Sequence, residues 1–241
     1  MSRRAFRARV AHDAIGAVVH PITAALLLFA NSLHHDAAWG FLIVQEVIAG
    51  LAHIFYCIQH FLGDTDGARN LWKWAEYAAS ATAGTLAVLL AVGDVPDWWW
   101  IMLLCITCAT QQAIGYLLET SSVGTLLNFG IAWLFQFSEF IIIAALPYGD
   151  SPTNEVWSLR TVYILAWSPF GILAGYDILT DLPTRTQPSH INWIEAMYAC
   201  LSWVSKLSIV ILSVSPTWGT ASAVIFGGAV TVGATFKLSQ G

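Results

Sequence analysis

Charge is what this chain has least of. Asp, Glu, Lys and Arg make up 10% of its 241 residues, against about 25% in soluble domains. That shortage excludes an ordinary soluble fold, and it leaves no basic surface for nucleic acid. Cysteine is also sparse, and Cys57, Cys105, Cys108 and Cys200 all fall inside apolar runs. Cys105 and Cys108 form a C-x-x-C, which in a soluble protein would point to redox or metal chemistry; within a membrane helix the pair reads as small packing residues. No soluble domain, low-complexity tail, long linker or internal repeat is visible, and no metal site or enzymatic constellation is expected.

Apolar runs are what the chain has instead. Hydrophobic residues make up 57% of it, and about 20 consecutive apolar residues cross a bilayer. Runs of that scale lie near 14–33, 39–62, 71–93, 98–118, 123–147, 157–179, 191–214 and 217–236. The breaks between them carry turn chemistry, such as Gly63-Asp64-Thr65-Asp66-Gly67 and Asp94-Val95-Pro96-Asp97. Trp39, Trp98, Trp99, Trp100, Trp157 and Trp193 stand at run ends, where an interfacial aromatic belt is expected. The fold class expected is an all-α membrane protein, a single transmembrane domain over 1–241. Run 217–236 is rich in Gly, Ala and Thr, and either crosses as an eighth helix or lies against a seven-helix bundle. Arg3, Arg4, Arg7, Arg9, Arg69, Lys73 and Arg185 all fall on one side, which predicts a cytoplasmic N-terminus by the positive-inside rule.

One of only three lysines, Lys206, sits within the apolar run LSWVSKLSIVILS. An ammonium at the bilayer centre costs roughly 2.5–3.5 kcal/mol on insertion scales, so it calls for a partner or a covalent use. Of the six glutamates, Glu76 in LWKWAEYAAS stands just over one turn into its run, with Ser80 at i+4 and Lys73 at i−3. Runs three and seven point the same way, placing Glu76 about 8 Å and Lys206 about 20 Å into them. A lysine arm slanting toward its helix N-terminus narrows that difference. The pair reads either as a structural ion pair or as a protonated Schiff base, formed between the amine and an aldehyde cofactor, with its counterion. Ser202 shares the face of Lys206, and Tyr77, Trp133, Phe137, Trp167, Phe170 and Trp203 are flat residues suited to sandwich a polyene.

With those residues in view, the chain resembles a microbial-type rhodopsin, and more closely a heliorhodopsin. Residues 74–81, WAEYAASA, look like that family's counterion segment. The stretch Glu195 to Lys206 looks like its seventh helix, with Ser202 in place of the pumps' second aspartate, and Trp167-Ser168-Pro169-Phe170 is similar to its sixth-helix aromatic patch. The resemblance spans about 14–214 and implies a seven-transmembrane-helix rhodopsin bundle with inverted orientation in the cell membrane. It implies all-trans retinal bound at Lys206 as a protonated Schiff base, Glu76 as counterion, and His20 and His53 in a polar cavity beside it, with His60 a rival for the second role. A homodimer is implied too, but the short loop from His34 to Ala38 departs from the family's longer outer loop and weakens that expectation, and run 217–236 is additional to the family pattern.

The residue eleven after the counterion, where outward pumps hold a proton donor, is Ala87. The reading is therefore a light sensor with a slow photocycle and an unidentified signalling partner. A light-gated proton channel, with Glu139 on the path, is the alternative, and a bundle without chromophore is the third.

Overall fold

A computed structural model of the chain describes residues 3–34, 37–62, 67–92, 97–120, 124–145 and 154–180, together with helical positions between 197 and 210. Run 217–236, Trp193 and Glu195 lie outside the described residues, as do the side chains of Glu119 and Glu155. Six long helices follow in order: α1 (Arg3–His34), α2 (Ala37–Leu62), α3 (Gly67–Val92), α4 (Trp98–Thr120), α5 (Thr125–Ala145) and α6 (Asn154–Thr180). No strand occurs among the described residues. Helix α1 starts at Arg3, well before the expected edge at residue 14, because helix formation continues through the arginine-rich turns that hydropathy leaves out.

Among the described residues, four segments are long and apolar enough to cross a membrane: Val10–Phe29, Ala38–Leu62, Trp98–Leu118 and Thr125–Ala145. Helices α3 and α6 coincide with two further expected crossings but are not among the four. Lys73, Glu76 and a series of Ser, Thr and Gly dilute α3, and Arg160, Ser168 and Pro169 dilute α6.

The chain divides into two compact units, Ser2–Gly149 and Asp150–Gly241. In the first, α1 packs on α2, α2 on α3, α3 on α4 and α4 on α5. Short connections between long helices make sequential neighbours antiparallel. Polarity in this unit is inverted relative to a soluble protein. Leu26, Phe29, Leu127 and Leu134 are at least 65% exposed, while Gln45, Glu46 and Ser80 are fully buried. Apolar residues outside and polar ones inside are what a lipid solvent selects. Hydroxyls on the helices are satisfied locally: Thr23 donates to the Val19 carbonyl at 2.9 Å and Thr107 to that of Leu103 at 2.8 Å, the i−4 back-bond that keeps such groups paired without water.

Close helix approach is set by glycines. A Cβ on Gly84 would collide with the Gln45 side chain, and one on Gly115 with the Trp74 ring. The Gly115 notch lets Trp74 wedge α3 against α4, which fixes the rotation of α3 two residues before Glu76. Gly115→Ala should therefore destabilise the protein by about 1–3 kcal/mol through overpacking. Gly130→Ala meets nothing within 4 Å and should gain up to about 1 kcal/mol of helix propensity. Thermal unfolding in detergent micelles reads the opposite signs.

In the second unit, α6 packs on the helical residues near 200. Leu173 and Leu201 are 1% exposed and form a small core, flanked by Phe170, Tyr176, Met197 and Tyr198. Pro169 sits within α6, and the neighbouring Ser168 hydroxyl donates to the Ile164 carbonyl at 2.6 Å.

Candidate functional site

Lys206 is 2% exposed. Ser202, Ser205 and Ser208 around it are also buried, and the Ser205 hydroxyl donates to the Ser202 carbonyl at 3.0 Å. The expected aromatic wall is present in the same unit: Trp167 is buried and stacks on Phe170, ring centroids 5.4 Å apart and 27° between planes. Phe170 in turn meets Tyr198 at 6.2 Å. One turn earlier on α6, Tyr163 continues the line, 6.1 Å from Trp167.

In the first unit, Glu76 is 8% exposed and Ser80, one turn on, donates its hydroxyl to Glu76 Oε1 at 2.7 Å. The i+4 spacing seen in the sequence thus forms a hydrogen bond to the Glu76 carboxyl group. Tyr77 is half-buried and meets Trp74 edge-on at 5.8 Å. Ala87 is buried at 2%, so that interior-facing position offers no proton. Trp133 is half-buried, but Phe137 is 52% exposed and lies on the outer apolar surface, because its position on α5 points away from the face that buries Gln136 and Glu139.

His20 and His53 are both buried, and the structure brings them together: their rings stack at 5.3 Å with 6° between planes. His53 also meets Tyr56 edge-on at 5.9 Å, and the Glu76 carboxylate is near enough to act on it electrostatically. Two carboxylates that the sequence alone does not single out complete this region. His20 Nδ1 lies 2.7 Å from Glu46 Oε2, and Gln45 Nε2 donates to Glu46 Oε1 at 3.0 Å. Asp13 is surrounded by three imidazoles, with His12 Nδ1 and His53 Nδ1 each 3.1 Å from Oδ1 and His60 Nε2 2.7 Å from Oδ2. His60, the expected rival of His53, therefore belongs to the same cluster rather than replacing it.

Ligand-capable atoms of His12, Asp13 and His53 lie within 4.8 Å of one another. The imidazole nitrogens sit at hydrogen-bond distance on the carboxylate oxygens, an arrangement that suits acid–base chemistry. Glu139 lies apart from it on α5, buried at 2%, near enough to Cys108 of α4 to act on it electrostatically. Gln136, one turn earlier, accepts a hydrogen bond from Gln111.

The first unit can thus hold a positive charge beside Glu76, and the second contains both a buried amine and a line of flat apolar rings. Comparison with protein families, curated proteins and solved structures gave no match, so the functional reading stands on these side chains.

Proposed function

We propose that this chain is a retinal photoreceptor of the heliorhodopsin kind, with all-trans retinal on Lys206 as a protonated Schiff base and Glu76 as its counterion. The single observation that carries the reading is the burial of Lys206, 2% exposed, on a helical segment whose other polar members are serines. The residues present suit the group: a buried amine, a stacked Trp167–Phe170 wall, and a buried carboxylate held by Ser80. Bound there, retinal would supply visible absorption and a light-driven change of charge at the Lys206 nitrogen.

The chain's own residues then set the fate of the proton. Ser80 donates a hydrogen bond that orients the Glu76 carboxyl group. Ser202 leaves the lysine helix without a second acid, and Ala87 leaves α3 without a donor above Glu76. Proton return is consequently slow, which suits a sensor signalling to a protein partner and not a pump. In this reading the bundle comprises seven helices over 14–214, lies in the cell membrane and keeps its arginine-rich N-terminus in the cytoplasm.

A second reading, light-gated proton conduction, is favoured by the burial of Glu139. One preparation tests both. The chain expressed with all-trans retinal should develop a visible absorption band, and no band under any condition would remove the photoreceptor reading. Under voltage clamp the sensor reading expects no photocurrent; a current abolished by Glu139→Gln would replace it with conduction.

A further inference from the structure

Between α1 and α2 runs a string of acids and imidazoles of which the chromophore reading uses only His20 and His53. Asp13 and His20 are seven residues apart on α1, and Glu46, His53 and His60 are seven apart on α2. Seven residues are nearly two turns, so each set lies on one face. The stretch from Glu46 to His60 rises about 21 Å, about two thirds of a ~30 Å hydrocarbon core. Burying two carboxylates and four imidazoles over that length is costly unless they serve one another.

The geometry orders them. His12 is the most exposed member, its side chain at 25%, while Asp13 is at 1%, His53 at 10% and His60 at 5%. An ionised carboxylate only accepts hydrogen bonds, so a ring nitrogen donating to Asp13 carries a proton, and one without a proton can bond only to the protonated carboxyl. An imidazolium among the three would offset a buried anion, and because His12 Nδ1 and His53 Nδ1 face the same oxygen, a proton passed to it by one ring can be taken by the other when that ring's Nδ1 carries no proton. Deeper in, His20 and Glu46 repeat the pairing at 2.7 Å. The two halves meet at the stacked rings of His53 and His20, where no hydrogen bond joins them. His20 Nε2 is buried and has no hydrogen-bond partner among the described residues. Gly16 makes this junction possible, since a Cβ there would come within 2.5 Å of the His53 ring.

We propose that the Asp13 cluster is a proton store, filled from the end of the bundle where α1 starts and α2 finishes, and that the stacked His53–His20 pair gates its transfer to Glu46. A proton entering at His12 leaves its Nδ1 for Asp13 Oδ1 and is taken from that oxygen by His53 Nδ1 when His53 is the Nε2–H tautomer, so that His12 becomes neutral and His53 the imidazolium. Rotation of a ring, or one bridging water at His20 Nε2, carries it on to His20 beside Glu46. A single proton moves and no other group changes charge. Among the described residues, the charged and titratable groups around the store are His12 and His20 on α1, Glu46, His53, Tyr56, Cys57 and His60 on α2, and Glu76 on α3; half-buried Lys73 lies three residues before Glu76 on α3. The inference rests on α1 and α2 spanning the membrane and not on the chromophore.

The test uses the full chain, labelled with nitrogen-15 at histidine, in lipid nanodiscs without retinal. Nitrogen shifts distinguish the two neutral tautomers from imidazolium. His53 and His60 should shift together through one midpoint as pH is varied between about 4 and 9, the range that brackets ordinary histidine titration. Asp13→Asn should split that joint step into separate ones. Gly16→Ala should keep a titration at His60 yet abolish the response of His20. If Asp13→Asn does not fold, His60→Gln serves in its place, and His53 should then lose its joint midpoint. Independent titration in the wild type, rings neutral throughout, or a joint step unaffected by these variants would overturn the proposal. So would one equivalent of Zn2+ shifting His12 and His53 together, which would make the cluster a metal site. Because no retinal is present, the outcome stands whether or not the visible band appears.

Discussion

Replacing Lys206 with alanine should eliminate the visible band completely while leaving a folded, membrane-inserted chain. Lys206 supplies the only amine among the described buried residues, and an imine needs a primary amine, so no neighbour can substitute. Folding should survive, because an acid left without its cationic partner can take up a proton and become neutral, and the surrounding serines retain local partners such as the Ser202 carbonyl. Lys206→Arg is the informative companion. It keeps the positive charge beside any acid partner, yet the guanidinium cannot form the imine. If Lys206 is purely an ion-pair residue, Lys206→Arg should behave as wild type and the Lys206→Ala chain should lose stability. Retention of the band in Lys206→Ala, measured by absorption after reconstitution with all-trans retinal, would end the assignment of Lys206 as the attachment site.

The second large effect is expected at Glu76. An anion about 4 Å from a cation is worth about 4 kcal/mol at an effective dielectric constant of 20, about a thousandfold in a protonation equilibrium. Glu76→Gln removes that attraction while keeping the side chain's shape and an acceptor for the Ser80 hydroxyl. Much of the chromophore should then lose its proton in neutral buffer and absorb at short wavelength. The fraction that remains protonated should be red-shifted, because the carboxylate stabilises the positive charge more in the ground state than in the excited state. Glu76→Asp should restore most of the protonated form. A spectrum unchanged in Glu76→Gln, read by pH titration of absorption, would hand the counterion role to another acid, with Glu139 the first to test and Asp13 and Glu46 the other buried ones among the described residues.

Much of this architecture is legible along the chain, since hydrophobic length is a local property. The first, second, fourth and fifth runs become helices that could cross a bilayer, and the i+4 placement of Ser80 becomes a hydrogen bond to Glu76. Stacked Trp167 and Phe170 are likewise visible as a near-adjacent pair on one helix. Asp13 and Glu46 are harder to weigh. Each looks like a stray acid near a run end or among polar neighbours, and their significance arises only when α1 lies against α2. The seven-residue spacing on both helices is nevertheless there to read. Gly16 and Gly115 stay hidden for a related reason: a glycine reveals a notch only once the ring that fills it, His53 or Trp74, is known. Phe137 shows the opposite error, an aromatic that looks like pocket lining but turns outward to the apolar surface.

The spacing of the acid–imidazole string has a mechanical consequence. A straight α-helix has 3.6 residues per turn, so a contact line recurring every seventh residue drifts off its neighbour unless the two helices coil gently around each other to the left. Helices α1 and α2 should therefore stay in mesh along their shared length. Any light- or proton-driven rearrangement would then keep that seam, and the prolines inside helices, Pro21 in α1 and Pro169 in α6, are the first places to look for a bend.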